Sequence, residues 1–178
     1  NLDIVVANQL SRNIGVFLGH GDGSFEAQTT SFTGGHVKPY DIAVDDFNSD
    51  TVPDVVFSYD ENYIVGIMYG HSNGTFGERS RLVSELTWPK APIVVTDFNG
   101  DDQMDIAFAQ SEPYEIGVLL GDGNGNFQRQ TIFSTDWYVD RFSIVFGDLN
   151  GDHYPDIVTR CYYPSTLTVL LNICECCT

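Results

Sequence analysis

The chain has 178 residues, 42% of them apolar, which is the length of one ordinary domain and enough apolar material for a core. It carries 25 acidic and 8 basic residues, a formal charge of −17, and such a surface makes nucleic acid and anionic membrane poor partners. No apolar run is long enough to span a bilayer and no stretch reads as a signal peptide; because the first residue is Asn1 rather than Met, a processed or excised piece is expected.

In chain order, Asp3–Ala7, Ile14–Leu18 and Phe25–Thr29 are the first strand-like segments. They are short, rich in β-branched residues and bounded by Gly, Asn and Asp. The turn between the second and third is Gly19-His20-Gly21-Asp22-Gly23-Ser24-Phe25, whose glycines suit the positive φ of a hairpin. A linker from about Gln28 to Tyr40 precedes Asp41–Val44. Next comes the acidic stretch Asp46-Phe47-Asn48-Ser49-Asp50-Thr51-Val52-Pro53-Asp54, and then another strand, Val55–Phe57.

That acidic stretch returns as Asp97–Asp105 and again as Asp148–Asp156, so its first aspartate stands at 46, 97 and 148, a period of 51 residues. Asp3 falls in the same register and marks the tail of a fourth copy. The hairpin turn repeats with its phenylalanine at 25, 76 and 127. A fixed period of this size with four short strands per unit describes β-propeller blades. The expected fold is all-β, with strands B-C-D, two complete A-B-C-D blades, and a final A-B-C. The expected divisions are 1–40, 41–91, 92–142 and 143–172, with a cysteine-rich tail over 173–178. The end blades lack one strand each, and unpaired edges invite other strands. The chain is therefore expected to be a fragment of a larger propeller, or to be completed by neighbouring chains.

Within each acidic stretch, side-chain oxygens recur at every second position, with another four residues further on. A short loop with that spacing can wrap several hard oxygen ligands around one cation. Calcium takes about 6–8 oxygens in flexible geometry and suits such a loop. The competing reading is that the aspartates cap turns, as Asp and Asn commonly do. Three copies in register favour calcium, with about three sites.

The four cysteines, Cys161, Cys174, Cys176 and Cys177, all lie in the last 18 residues. They are disulfide candidates or free thiols, and Cys-x-Cys-Cys lacks the paired spacing of structural zinc. Asn73-Gly74-Thr75 is a standard N-glycosylation sequon, and Asn172-Ile173-Cys174 is a weak variant. Acidic loops, sequon and clustered cysteines together point to an extracellular, secreted or cell-surface setting.

Asp-x-Asn-x-Asp-x-x-x-Asp before an apolar strand, followed by Leu-x-Gly-x-Gly-x-Gly-x-Phe, resembles the FG-GAP/VCBS repeat, also found in the integrin α-subunit propeller. The resemblance covers the chain except for Ile173–Thr178. It implies a β-propeller with calcium in the loops between strands A and B. Loop positions 1, 3, 5 and 9 would ligate through side chains, and position 7 through its backbone carbonyl. These are Asp46, Asn48, Asp50, Asp54 and Val52; Asp97, Asn99, Asp101, Asp105 and Gln103; and Asp148, Asn150, Asp152, Asp156 and Tyr154. The family usually has Gly at position 6, where this chain has Thr51, Asp102 and His153. Asp and His tolerate a left-handed backbone better than β-branched Thr does, so the 46–54 loop ranks below the other two.

Gly70-His71-Ser72-Asn73-Gly74 matches a nucleophile-elbow pattern, but that pattern requires a strand-to-helix turn and the register here places Ser72 in a hairpin. No enzymatic function is expected. The linkers between D and A carry Trp88, Trp137 and Tyr138 with Lys90 and Arg141, a surface for protein or sugar if these rings do not simply pack between blades. The expected function is an extracellular calcium-binding module for adhesion or structural assembly. It would bind a protein partner or self-associate through its incomplete end blades. The alternative is a carbohydrate-binding propeller, and an accessory domain of a polysaccharide-active enzyme comes third.

Overall fold

The computed structural model describes residues 1–59, 64–83, 93–111, 114–134, 139–161 and 166–172. Among them there is no helix; fourteen strands form four antiparallel sheets. The first sheet is β1 (Ile4–Asn8), β2 (Asn13–Phe17) and β3 (Thr29–Phe32). The second is β4 (Pro39–Asp45), β5 (Asp54–Tyr59), β6 (Ile64–Met68) and β7 (Ser80–Val83). The third is β8 (Ile93–Thr96), β9 (Asp105–Ser111), β10 (Tyr114–Gly121) and β11 (Phe127–Ser134). The fourth is β12 (Val139–Gly147), β13 (Asp156–Cys161) and β14 (Thr166–Leu170). Each sheet is a simple meander, as expected of propeller-like blades, and the strand count runs three, four, four, three.

The fourth strand of a blade starts later than its hairpin suggests. Phe25 and Phe76 make only isolated bridges, to Gly19 and Gly70, and pairing resumes at Thr29 and Ser80. In the first copy the expected Phe25–Thr29 strand is thus replaced by β3, and the expected linker contributes β3 and the start of β4. Between bridge and ladder one backbone bond persists, from Glu26 N–H to the Leu18 carbonyl at 2.8 Å and from Gly77 N–H to that of Tyr69 at 2.8 Å. The Gln28 side chain lies over β2, so close that a Cβ on Gly15 would stand 2.0 Å from Gln28 Nε2. In the third copy the ladder is continuous from Phe127.

By contacts the chain forms two compact units, Asn1–Asp46 with Asp50–Pro89, and Phe47–Ser49 with Lys90–Thr178. The core of the first gathers Ile14, Val37, Val55, Phe57, Tyr59 and Met68, with Val5, Ile42 and Phe76 packed against them. The core of the second gathers Val94, Phe98, Ala107, Ile116, Val118, Ile144 and Ile157, with Leu120 and Leu170 at its margin. In both units a strand-C glycine faces a strand-B aromatic across the ladder, Gly66 opposite Phe57 and Gly117 opposite Phe108. The ring lies over the bare backbone: a Cβ on Gly117 would stand 2.6 Å from Phe108 Cζ. Arg79 stacks 4.9 Å above the Tyr59 ring and donates from Nε to the Thr33 carbonyl at 2.9 Å. It thereby ties β7 to the linker after β3.

Candidate metal centre

Each acidic stretch lies between the first strand of its blade and the second: β4 and β5, β8 and β9, β12 and β13. The loop is tight because two of its residues adopt left-handed backbone. Position 4 does so at Ser49 (φ 60°), Gly100 (78°) and Gly151 (81°), and position 6 at Thr51 (69°), Asp102 (64°) and His153 (73°). The chain therefore makes the sharp turn at position 6 even without glycine. Left-handed backbone crowds a β-branched side chain, so Thr51 carries strain. Thr51→Gly should stabilise the chain by about 1 kcal/mol, because the Thr51 N–H bond to Asp46 Oδ2 (2.7 Å) survives the change. Denaturant midpoints of the two proteins would show it, and a lower midpoint for the glycine variant would contradict it.

The position-1 aspartate organises the turn. Asp97 Oδ1 accepts the N–H groups of Asn99 (3.2 Å), Gly100 (2.7 Å) and Asp101 (3.2 Å), and Oδ2 accepts that of Asp102 (2.8 Å). Asp148 repeats this with Gly151 (2.6 Å), Asp152 (3.2 Å) and His153 (3.0 Å). Asp46 accepts from Asp50 (3.2 Å) and Thr51 (2.7 Å). The position-5 carboxylate caps position 7 in every copy: Asp50 to Val52, Asp101 to Gln103, and Asp152 to Tyr154, at 2.8–2.9 Å. Slight burial pushes the Asp148 carboxyl upward, but the N–H bonds from His153, Gly151 and Asp152 outweigh it and hold the group below the ordinary carboxylate value.

The position-9 aspartate has a different environment. Asp54, Asp105 and Asp156 are fully buried at the first residue of β5, β9 and β13. Asp105 Oδ2 accepts the N–H of Phe98 and Oδ1 that of Gly121, both at 2.8 Å. Asp156 does the same with Leu149 (2.9 Å) and Asn172 (2.8 Å). Asp54 holds Gly70, and Asp3 holds Gly19, both at 2.8 Å. One carboxylate thus ties its loop to the end of the third strand. At Gly70 and Gly121 the approach is close, since a Cβ there would stand 2.1 or 2.4 Å from the carbonyl oxygen of Pro53 or Met104, whereas the third copy has Asn172 at this position. This brace is a role that the ligand spacing alone did not reveal. Burial pushes Asp105 up to about 6; the Gly121 and Phe98 N–H bonds oppose the rise, and Asp101 and Asp97 add to it. The three carboxylates of that loop therefore sit close enough to repel.

This geometry bears on whether the loop suits calcium. Among the described residues no three His, Cys, Asp or Glu side chains are gathered to hold a metal as they stand. In two loops an amide sits where positive charge is wanted: Asn99 Nδ2 donates to Asp101 Oδ2 at 3.0 Å, and Asn150 Nδ2 to Asp152 Oδ2 at 2.8 Å. A cation would replace that donor, and the amide would turn its oxygen inward. The donor set is then three carboxylates, one amide oxygen and one carbonyl, with water completing the 6–8 oxygens calcium takes. Asn99 and Asp101 also line a cleft of about 370 Å³ with Asp122 and Asn126, which gives water and ion a way in. The residues fit calcium in hardness and charge. In the 46–54 loop, Asn48 is half-buried and Asp50 exposed.

The remaining sequence candidates divide as follows. Ser72 lies at an exposed hairpin tip closed by His71 N–H to the Thr75 carbonyl (2.8 Å), not at a strand-to-helix turn. Asn73 is exposed in the same tip, and its Oδ1 accepts from Thr75 Oγ1 at 2.7 Å. Cys161 ends β13. Cys174, Cys176, Cys177, Trp88, Lys90, Trp137 and Tyr138 lie outside the described residues, as does the side chain of Arg141.

Four-stranded antiparallel blades repeating every 51 residues, each opened by an Asp-rich A–B loop, define a propeller-type repeat protein. The FG-GAP-like repeat model matches three times, over residues 1–57, 46–108 and 97–159, and the chain belongs to that family. Each match spans the distance from one acidic loop into the strand after the next, so the loops and the family repeat share one register. No curated protein shows a significant sequence match to the chain. Repeats of this kind are typically non-catalytic modules of protein interaction.

Proposed function

We propose that this chain is an extracellular, calcium-stabilised module for adhesion or structural assembly. The observation that carries it is the repetition of one loop geometry: a position-1 carboxylate gathering backbone N–H groups, a position-5 carboxylate, and a buried position-9 carboxylate. Repulsion within such a loop is relieved by a divalent cation, and its rigidity then fixes the blade surfaces that a partner protein meets. Extracellular calcium is abundant, and the exposed Asn73 sequon and the cysteine cluster suit the same compartment. Titration calorimetry on the whole chain should find about three calcium ions per chain, with the Thr51-containing loop weakest. Asp97→Ala and Asp148→Ala should each remove one of them. Heat no greater than that of dilution would leave the aspartates as turn caps alone.

A further inference from the structure

Asp105 and Asp156 each brace their own blade, and one residue joins the two braces. In the register of the repeat, Gly19, Gly70 and Gly121 correspond to Asn172. All four make the same backbone N–H bond, to Asp3, Asp54, Asp105 and Asp156 respectively, at 2.8 Å. Only Asn172 adds a side chain, and its Nδ2 donates to the Phe98 carbonyl at 2.7 Å. Phe98 is position 2 of the preceding acidic loop, 74 residues away in sequence. Its own N–H is held by Asp105 Oδ2 at 2.8 Å.

Hydrogen bonds therefore run without a gap from Asp105 through Phe98 and Asn172 to Asp156. The two ends are the buried position-9 carboxylates of successive loops, and every link lies in the second compact unit. Phe98 is buried in the core of that unit, so its backbone has little room to shift alone. A buried carbonyl is costly to leave without a donor. The asparagine thus does at 172 what glycine could not.

We propose that Asn172 is a positioning residue that couples the 97–105 loop to the 148–156 loop, so that ordering one favours ordering the other. Drawing together the carboxylates of either loop fixes one end of the bond chain. Part of the ordering cost of the other loop has then already been met. Calcium uptake by the two loops is positively cooperative, and the coupling is reciprocal. The cooperativity rests on the calcium reading, whereas the bond chain needs no ion.

Two measurements on the whole chain keep these apart. Asn172→Gly installs the residue of the other copies, and Asn172→Leu keeps the bulk; both retain the N–H bond to Asp156 and lose the side-chain donor. In excess chelator, amide hydrogen exchange at Gly100, Asp101 and Asp102 should rise several-fold in both. Exchange at Gly70, held by Asp54 in the other unit, should not change, which separates lost positioning from general destabilisation. Calorimetry in an Asp46→Ala background, which disables the first loop, then reads the remaining two sites. The second ion should bind about five-fold tighter than the first with Asn172 present, and the two should bind independently in either variant. Unchanged exchange in the 97–105 loop would overturn the proposal. So would independent binding with Asn172 in place, or cooperativity that survives its loss. A chain that takes up no calcium would sink the calcium reading, and the exchange result then decides the coupling alone.

Discussion

Replacing Asp105 with Ala should lower the unfolding free energy by roughly 3–5 kcal/mol, measured by denaturant titration in excess chelator. The carboxylate is fully buried and accepts the N–H groups of Phe98 and Gly121, each at 2.8 Å. Alanine leaves both donors buried without partners, and each unsatisfied group costs about 1–3 kcal/mol. It also leaves a cavity where the side chain stood. Asp105→Asn keeps one accepting oxygen but points an NH₂ at the other donor, so its loss should be smaller yet clear. The control is Asp101→Ala. Asp101 is exposed, so in chelator its removal should cost under about 1 kcal/mol. If the two alanine variants were equally mild without calcium, the brace between loop and third strand would not exist and position 9 would act only through a bound ion.

Much of this was legible in the residues. The 51-residue register of Asp46, Asp97 and Asp148 fixed the number of repeats, and with it the three, four, four, three strand pattern, because a repeat must use its residues alike each time. The strand after the hairpin was placed too early in the first two copies. Phe25 and Phe76 mark the hairpin's close with isolated bridges, and regular pairing resumes only at Thr29 and Ser80, which the residue pattern does not distinguish. Position 6 shows the opposite balance. Thr51 was expected to resist a left-handed turn, yet it adopts one, since the N–H bonds into Asp46 hold the loop against a local preference. The position-9 aspartate showed its spacing but not its burial, because its partner, Gly121, lies 16 residues away in another strand. The glycines at 70 and 121 held a clue: a residue with no Cβ recurring beside an apolar strand end signals a close backbone approach.

Calcium should raise the melting temperature strongly at pH 7 and measurably less at pH 5. One site filled at a hundredfold excess over Kd adds about 2.7 kcal/mol, so three add roughly 8. At about 2–4 °C per kcal/mol for a chain of this size, the rise at pH 7 is roughly 15–30 °C. The pH dependence follows from Asp105. Its folded value stands near 6, above the ordinary 3.8, so the fold prefers the protonated acid. That contribution is fully present below about 3.8 and is lost as pH climbs through about 6. In chelator the melting temperature should therefore fall between pH 5 and pH 7. With calcium present, the ion needs the ionised carboxylate, so protons compete with it and its stabilisation grows over the same interval. The two melting curves should diverge as pH rises. Parallel curves would mean that no buried carboxylate is shared between proton and ion. A chelator curve that climbs toward pH 7 would mean that Asp105 ionises without penalty in the folded blade.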